Sequence, residues 1–475
     1  MTTMTNGDDL AGDNEKGLQQ GGRSSGNNGD SSGSCGDRGG RNSTSTSTSS
    51  STSHDVEKLS EDAQAYPEGG LQAWLVVFGS WCAMFGAFGI WNSVGIFQAW
   101  LATHQLKDHT EGEISWIFSI FSFLFFFCGV QIGPIFDRYG LRVLVLCGSI
   151  GFVLSIMLFS ICTKYWHFIL AFSLLGGVSC SFMFTPSIAA INHWFLNRRG
   201  VATGIGTTGG GFGGVIFPLI LQSVIGKIGF GWAIRTIGLI CLITSVLAVI
   251  FLKTRLPPNP TSSATIDVTA FKLPEFTFTA LAIFMIEWAL LIPQTYYTSF
   301  CISTGVNETL AYQLVAIMNG ASIVGRFAPG YVADKWGRYN LMIITAFLCA
   351  VFTLAIWLPA AVIAGNGSSS SSPVGAVIAY MVVFGFSSGS GISLTPVCLS
   401  QICDLRDYGK RYGTVYSLAA LGSLTGVPIA GQILKLQNGD YSGLIIFCGA
   451  CYITSTMLFV LAKGFGKNFR ITSVF

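Results

Sequence analysis

A ten-residue stretch occurs twice in this chain. It reads GPIFDRYGLR at residues 133–142 and GYVADKWGRY at residues 330–339, so an Asp, a basic residue, an aromatic residue and a Gly recur 197 positions apart. A Thr-Pro pair that begins at Thr185 recurs at Thr395, at a similar offset. Internal repeats are the sequence signature of a duplicated structural unit. The chain is therefore predicted to consist of two related halves.

Long apolar stretches flank both copies of the repeat. The 407 residues after position 68 include only 33 charged ones, about 8%, whereas soluble proteins have roughly 25%. An apolar helix of about 20 residues crosses a bilayer. Twelve stretches reach membrane-spanning length, at about 71–99, 114–134, 143–161, 166–193, 200–225, 231–252, 276–300, 311–333, 341–364, 375–402, 412–434 and 441–462. The predicted fold is an all-α membrane protein whose twelve transmembrane helices form two six-helix bundles.

Basic residues set the expected orientation. Twelve spans place both termini on one side, and the connections on that side hold fifteen Lys and Arg after residue 68, against four on the other. Cytoplasmic loops carry such an excess, so both termini are predicted to be cytoplasmic. Orientation in a membrane explains this charge distribution better than binding to a nucleic acid does. The sequons at Asn307 and Asn366 then lie outside and are predicted glycosylation sites, while the one at Asn42 should stay unmodified.

On this prediction the chain has five segments. Residues 1–68 are rich in Gly, Ser, Asn and Thr and are expected to form a disordered cytoplasmic tail, because they lack apolar surface to bury. An N-terminal bundle (69–252) and a C-terminal bundle (276–463) follow, joined by a cytoplasmic linker (253–275) that contains three prolines. Residues 464–475 form a short cytoplasmic tail.

The duplicated Asp-Arg/Lys-x-Gly pattern resembles the signature of the major facilitator superfamily, whose fold is two six-helix bundles around a central cavity. PEGGLQAWLVVFGS, residues 67–80, resembles the opening of the first span in the monocarboxylate transporter family, particularly its fungal branch. The resemblance covers residues 67 to about 463. It implies alternating-access transport of a small-molecule substrate in a lipid bilayer, with protons as a candidate second substrate. No enzyme activity, cofactor or metal is expected.

The repeated loops are candidate gates. A carboxylate at the inner end of a span can accept hydrogen bonds from a basic neighbour or from a helix N-terminus of the opposite bundle while the inner side is closed. Breaking those contacts should favour the inward-open state. The alternative is that the loops only anchor helix ends. The gating candidates are Asp137, Arg138, Arg142, Asp334, Lys335 and Arg338.

Three charged residues fall within the predicted spans. Arg235 lies near the outer start of its span and is expected to reach the membrane surface. Glu287 and Arg326 differ in depth by about one helical turn, so a pair between them is plausible. Ionised groups at that depth are functional candidates. In the family, the arginine of the eighth span is implied to bind the substrate carboxylate. Glu287 could instead neutralise Arg326 or face a water-filled cavity.

Two positions depart from the family pattern. Asn92 stands where animal monocarboxylate transporters have a lysine, and Ser322 stands where they have an aspartate one turn before the arginine. Proton–lactate symport therefore does not follow from the resemblance. Glu287 could replace the missing acid as a titratable group.

Asn92, Asn319 and Tyr297 complete the candidate substrate site with Arg326 and Glu287, although each could serve only helix packing. The favoured substrate is a monocarboxylate or related organic anion. Many aromatic and few charged residues also suit an exporter or facilitator of a larger metabolite, such as a vitamin or secondary product. A non-transporting nutrient sensor is a third possibility. The expected location is the plasma membrane.

A glycine-rich run, GIGTTG at residues 204–209, formally matches a dinucleotide-binding fingerprint. It lies within an apolar span and follows no strand, so the match is interpreted as accidental. The glycines are expected to form a ridge that permits close contact between helices.

Overall fold

The computed structural model describes residues 66–255, 268–365, 374–403 and 408–467. All regular secondary structure in these ranges is helical, as predicted. The described residues belong to one compact unit, Lys58–Phe475. Residues 1–65, which hold nearly all of the predicted tail, lie outside the described residues. The same is true of residues 256–267 of the linker, of Asn366 and of residues 468–475.

Twelve long helices, α1 to α12, follow one another along the described chain. Eleven of them are long and apolar enough to cross a membrane: α1 (Leu71–Asn92), α2 (Gly112–Gly133), α3 (Leu141–Phe159), α4 (Tyr165–Asn192), α5 (Arg199–Ile228), α6 (Phe230–Phe251), α7 (Pro274–Ser303), α9 (Arg338–Ala364), α10 (Val374–Leu399), α11 (Tyr408–Leu436) and α12 (Ser442–Gly466). The remaining helix is α8 (Glu308–Trp336). Each corresponds in position to one of the predicted spans.

Helix α8 is as long as its neighbours, with 29 residues, but less apolar. Gln313, Asn319 and Arg326 lower its hydropathy. It packs along its length between α5 and α10, two of the helices that are apolar enough to cross a membrane. That α8 also crosses, which would make twelve spans with both termini on one side, stays a prediction.

Several long helices are irregular or extended. Helix α2 has a break at Cys128 and continues as Gly129–Tyr139. Helix α4 contains a π-helical segment, Ile169–Gly176, and α9 contains another, Thr353–Trp357. A short helix, Val94–Thr103, extends α1, and a 3₁₀ turn, Val268–Lys272, precedes α7.

Both copies of the repeated sequence contain the same sharp turn, at their eighth residue. Gly140, between α2 and α3, has φ +83°, and Gly337, between α8 and α9, has φ +95°. Side chains other than hydrogen are disfavoured at such angles. The positive φ of the backbone therefore favours glycine at the eighth position of each copy.

The most extensive packing between the first half of the chain and the second is that of α5 on α8 and of α11 on α2 and its extension. Each pair meets at a glycine joint, Gly200 with Gly330 and Gly409 with Gly133. A Cβ at Gly330 would lie 2.5 Å from the Gly200 carbonyl oxygen, and one at Gly133 would lie 2.1 Å from that of Gly409. Real Cβ atoms essentially never approach so closely. The duplicated sequence thus makes duplicated backbone contacts.

The glycine-rich run lies inside helix α5, as interpreted from the sequence. The glycines of this run, and those that follow it up to Gly214, face two helices. Those that approach α1 are Gly206, Gly209 and Gly213, and those that approach α8 are Gly204, Gly211 and Gly214. Their missing side chains allow α5 to pack closely between α1 and α8.

Candidate functional site

Asp334 links the two halves of the chain at one end of the molecule, which we call the motif end. Its carboxylate accepts hydrogen bonds from the backbone N–H groups of Gly200 and Val201, both at 3.0 Å. These N–H groups belong to the first turn of α5, where a helix has unsatisfied donors and a positive dipole end. Arg338 adds a contact of 3.5 Å from Nε to the same carboxylate and donates to the Leu196 carbonyl at 2.7 Å.

The other gating candidates have different surroundings. Lys335 is exposed and contacts Tyr331 of its own helix at 2.6 Å. Arg138 and Arg142 are exposed, and the Arg138 guanidinium lies 5.3 Å from the centre of the Tyr139 ring. The side chain of Asp137 lies outside the described residues. Asp334 and Arg338 are therefore the two candidates seen to contact the first half of the chain, and gating by all six stays a prediction.

Glu68 connects the start of the described chain to the loop between α4 and α5 through hydrogen bonds. Its carboxylate accepts hydrogen bonds from the N–H groups of Leu196 and Asn197, both at 2.7 Å, and of Arg198 at 3.2 Å. The same loop receives the Arg338 hydrogen bond at Leu196. The sequence shows Glu68 only as part of a family pattern, since no local signal predicts contacts more than 120 residues away.

A buried histidine lies beside this loop. Burial, together with the nearby Arg255 and Arg199, lowers the pKa of His193 to about 4. Arg199 itself is buried and donates to the carbonyls of Phe195 and Asn192. The motif end therefore holds His193 neutral near pH 7.

A cavity of about 740 Å³ occupies the opposite end, between the two halves. It is formed by the extension of α1, the start of α2, and parts of α7 and α11. A pocket of about 20 Å³ lies deeper and shares Gly95, Gln98, Ser115 and Thr295 with it. The small pocket reaches Trp91 and Asn92. The molecule is thus closed at the motif end and hollow at the other.

Uncharged polar groups line the way from the large cavity to the small pocket. Ser115, Ser119 and Ser122 lie on one face of α2 and border the small pocket. Gln98 donates to the Ser115 hydroxyl at 3.0 Å, and Trp91 Nε1 donates to that of Ser122 at 3.2 Å. These serines are not among the residues predicted from the sequence, although their spacing of four and three residues indicates a polar helix face.

Three predicted site residues converge on the backbone of α5. Arg326 Nη1 donates to the Thr207 carbonyl at 2.5 Å, Asn92 Nδ2 to that of Gly210 at 2.9 Å, and Asn319 Nδ2 to that of Gly214 at 3.2 Å. Arg326 is only 1% exposed. Its Nε and the Asn92 Oδ1 have no hydrogen-bond partner in the described part of the chain. Buried polar atoms left in this way need a partner that the described residues do not supply, such as an ordered water or a ligand.

Glu287 and Arg326 do not pair. No ion pair joins them within the described ranges, and one carboxylate oxygen of Glu287, Oε2, has no hydrogen-bond partner there. Position along the chain predicts similar depths for the two residues but not the directions of their side chains. Arg326 points to α5. Glu287 lies close enough to Tyr416 of α11 and Tyr452 of α12 to interact with them electrostatically. The expectation of a pair is corrected accordingly.

Tyr297 is also separate from the three residues on α5. Its hydroxyl donates to the Val377 carbonyl at 2.7 Å, and its ring lies 5.2 Å from those of Trp357 and Tyr380. These contacts place it in an aromatic cluster within the second half. Its neighbour Tyr296 lines the large cavity instead.

Asn307 caps the start of α8. Its side-chain oxygen accepts a hydrogen bond from the Thr309 N–H at 2.9 Å. The residue is exposed, so its amide nitrogen is available for attachment of a glycan. Asn366, the second predicted glycosylation site, lies outside the described residues.

Two profiles of known protein families match this chain. Residues 76–372 match the profile of the Major Facilitator Superfamily, and residues 288–471 match that of the MFS_1 like family. Together these matches extend over both halves of the chain.

Several curated fungal proteins are similar over most of their length. The MFS transporter asaE of Aspergillus flavus is 36% identical over 424 residues, 88% of this chain and 93% of that protein. The riboflavin transporter MCH5 of Saccharomyces cerevisiae is 33% identical over 445 residues, 88% of this chain and 84% of that protein. The fujikurins efflux protein of Gibberella fujikuroi is 34% identical over 409 residues, 85% and 86% of the two chains.

A solved structure has the same fold. The human organic anion transporter MFSD10 (TETRAN) superposes with a TM-score of 0.63 at 15% identity, covering 82% of this chain and all of that one. At this identity the likeness concerns the helical architecture alone.

Proposed function

Because this chain belongs to the major facilitator superfamily and is a membrane transporter, we propose that it carries an organic anion with a partly apolar body across the membrane by alternating access. The closed motif end and the cavity at the other end support a single access state of such a cycle. Membership of the narrower monocarboxylate transporter family is part of this proposal.

The observation that carries the proposal is the environment of Arg326. Its guanidinium is buried, donates to a backbone carbonyl and has no carboxylate within ion-pair distance in the described part of the chain. An isolated charge away from water is costly unless it is paired. A carboxylate on the substrate would supply the partner, since a guanidinium offers paired N–H donors that match it.

The size of the cavity favours a substrate larger than lactate. Pockets of roughly 300–1,000 Å³ hold drug-sized ligands, and the cavity of about 740 Å³ falls within this range. The names of two relatives, a riboflavin transporter and a fujikurins efflux protein, refer to compounds other than lactate.

A second candidate is export or facilitated movement of an uncharged metabolite. The charged side chains that line the large cavity, in the described ranges, are Glu113 and Lys435, both exposed. An uncharged amphipathic molecule would fit such a lining without a counter-ion. This candidate differs from the first in that it gives Arg326 no role in substrate binding.

Flux through proteoliposomes tests both candidates. The panel contains lactate, riboflavin and aromatic carboxylic acids with their uncharged amides. We expect Arg326→Gln to reduce transport of carboxylates by roughly 10- to 100-fold, because a hydrogen bond to a charged group contributes about 1.5–3 kcal/mol. Arg326→Lys should retain part of the activity.

Arg235→Gln is the matched control. The Arg235 side chain donates a hydrogen bond to the Ser160 hydroxyl and lies over the Trp232 ring. Neither contact involves the cavity, so replacing Arg235 should leave transport unchanged. Wild-type rates for carboxylates in Arg326→Gln would contradict the proposal. Flux of the amides alone would favour the second candidate, and no flux for any compound would favour a sensor.

The arrangement in the cell is part of the same proposal. We place all twelve long helices across the plasma membrane, with both termini and the motif end in the cytoplasm. The excess of basic residues in the connections at that end supports this orientation. Asp334 and Arg338 would then form the cytoplasmic gate.

A further inference from the structure

Glu287 is a buried acid without a counter-ion. It lies in α7 and is 6% exposed. Its Oε2 accepts no hydrogen bond from the described residues, and no Lys, Arg or His among them lies within ion-pair distance of it. None of the contacts described above for the substrate site involves this side chain.

The titratable groups that interact electrostatically with Glu287 in the described part of the chain are tyrosines: Tyr412 and Tyr416 of α11 and Tyr452 of α12. On α8, Arg326 points toward α5 instead. On the side of α10, the residues beside Ile286 and Leu290 of α7 are the uncharged Ser387, Ser388 and Gly391.

These surroundings oppose an ionised carboxylate. A buried anion without a cation is strongly unfavourable, whereas a neutral carboxylic acid carries only the smaller cost of a buried polar group. While the motif end is closed, Glu287 is therefore most stable with a bound proton.

Two of these tyrosines, Tyr412 and Tyr416, also contact the first half of the chain. The Tyr416 ring lies 5.6 Å from that of Phe126 and 5.8 Å from that of Phe184, and the Tyr412 ring lies 6.2 Å from Phe184. The same helix, α11, makes the glycine joint with Gly133. Opening of the motif end would separate α11 from α2 and α4 and admit water around these rings.

We propose that Glu287 is a proton-binding site, which holds one proton while the motif end is closed and releases it to the side that opens there. The step is the dissociation of one carboxylic acid into a carboxylate and a proton, and it needs no other reactant. It rests on the proposed alternating-access cycle, to which it adds protons as the coupled ion.

Infrared spectroscopy of the full-length protein in lipid nanodiscs tests the bound proton directly. Near pH 7 we expect a carbonyl stretching band of a protonated carboxylic acid in the wild type and its loss in Glu287→Gln. Glu113→Gln is the control, because that carboxylate is exposed at the cavity mouth, and it should leave the band unchanged. An identical band in the wild type and in Glu287→Gln would overturn the proposal.

Glu287→Asp covers the case in which Glu287→Gln fails to fold. This variant keeps the carboxylic acid but moves it by one methylene group, so its band should persist at a shifted frequency. A band at the wild-type frequency in Glu287→Asp would show that the proton resides elsewhere and would overturn the proposal.

A distance measurement tests the coupling. Spin labels at Asn197 and Trp336, both exposed at the motif end, report the separation of the two halves once accessible native cysteines are replaced. Raising the pH from about 6 to about 9 should widen the wild-type distance, because a buried acid that must ionise favours the hydrated state. Glu287→Gln should keep the short distance throughout.

Equal widening in Glu287→Gln and the wild type would overturn the coupling. Both readouts use the protein without substrate. A transport panel that finds no moved compound would therefore leave this proposal standing, and failure of these two readouts would leave the substrate proposal standing.

Discussion

Asp334 acts on the backbone of another helix rather than on a surface cation alone. Its two hydrogen-bond donors are the N–H groups of Gly200 and Val201, at the positive end of α5. A helix terminus cannot move its donors away as a flexible lysine or arginine can. The closed motif end therefore depends on where α8 lies against α5, which is the property that a gate requires.

Replacing Asp334 by Asn should open the motif end. The amide keeps the shape of the side chain but loses the charge that strengthens both hydrogen bonds, a loss of about 1–2 kcal/mol. The ratio of open to closed molecules should rise roughly 10-fold, since 1.4 kcal/mol corresponds to one decade. The label pair at Asn197 and Trp336 would measure it as a wider distance distribution.

Lys335→Gln is the control for this change, because Lys335 contacts only Tyr331 of its own helix among the contacts that the structure shows. It should leave the distances nearly as in the wild type. If Asp334→Asn gave the wild-type distribution, the carboxylate would not hold the gate.

The sequence predicted site residues that stand out by polarity. Arg326, Asn92 and Asn319 interrupt apolar spans, and the structure brings them to one stretch of α5. It could not show that Glu287 points away from Arg326, since residue spacing gives depth but not the rotation of one helix against another. Ser119 and Ser122 could not be singled out from the sequence, because serine hydroxyls in membrane helices often donate hydrogen bonds only to carbonyls of their own helix.

At the scale of helices, the backbones of α5 and α8 lie close together because glycines, which have no side chain, stand at the points of contact. The joint at Gly200 and Gly330 places backbone against backbone, and Arg326 presents its own carbonyl to Gly204 one turn deeper. The equivalent contacts of α11 and α2 are Gly409 with Gly133 and Gly413 with Gly129.

We expect Gly330→Ala to destabilise the closed protein by about 1–3 kcal/mol, the usual effect of overpacking, because its Cβ would lie 2.5 Å from a backbone oxygen. Gly320→Ala, in the same helix, is the control: its Cβ would meet nothing closer than 4.0 Å. That change should be neutral or stabilising by up to about 1 kcal/mol through helix propensity. Thermal unfolding in detergent would compare them, and equal melting temperatures would contradict the joint.

Length and apolarity were enough to predict the long helices, and eleven of them were confirmed as capable of crossing a membrane. Helix α8 falls short of that description because it contains polar residues that lower its hydropathy, among them Arg326 and Asn319 of the proposed site. The π-helical segments of α4 and α9 were not predicted, because they depend on hydrogen-bond register rather than on residue type.

For the whole molecule, the proposed orientation makes a prediction about glycosylation. If the motif end is cytoplasmic, Asn307 lies outside at the start of α8, and Asn366 lies in an outer connection. Enzymatic deglycosylation of the protein expressed in yeast should increase its mobility on a gel. This shift should disappear in the Asn307→Gln, Asn366→Gln double variant.

Asn42→Gln serves as the control, since the N-terminal tail would be cytoplasmic. It should leave the shift intact. A shift that is lost in Asn42→Gln but kept in the double variant would reverse the orientation and place the motif end outside.

The two glycine joints bear on the speed of opening as well as on its geometry. Because each contact surface is main chain on both sides, separation of the halves there requires no change of side-chain rotamer and no repacking. The activation barrier should then arise mainly from the hydrogen bonds of Asp334 and Arg338 on one joint. A bulkier side chain at either joint would replace this smooth surface with one that must reset its rotamers at every turnover, so the cycle would slow even where the resting structure is kept.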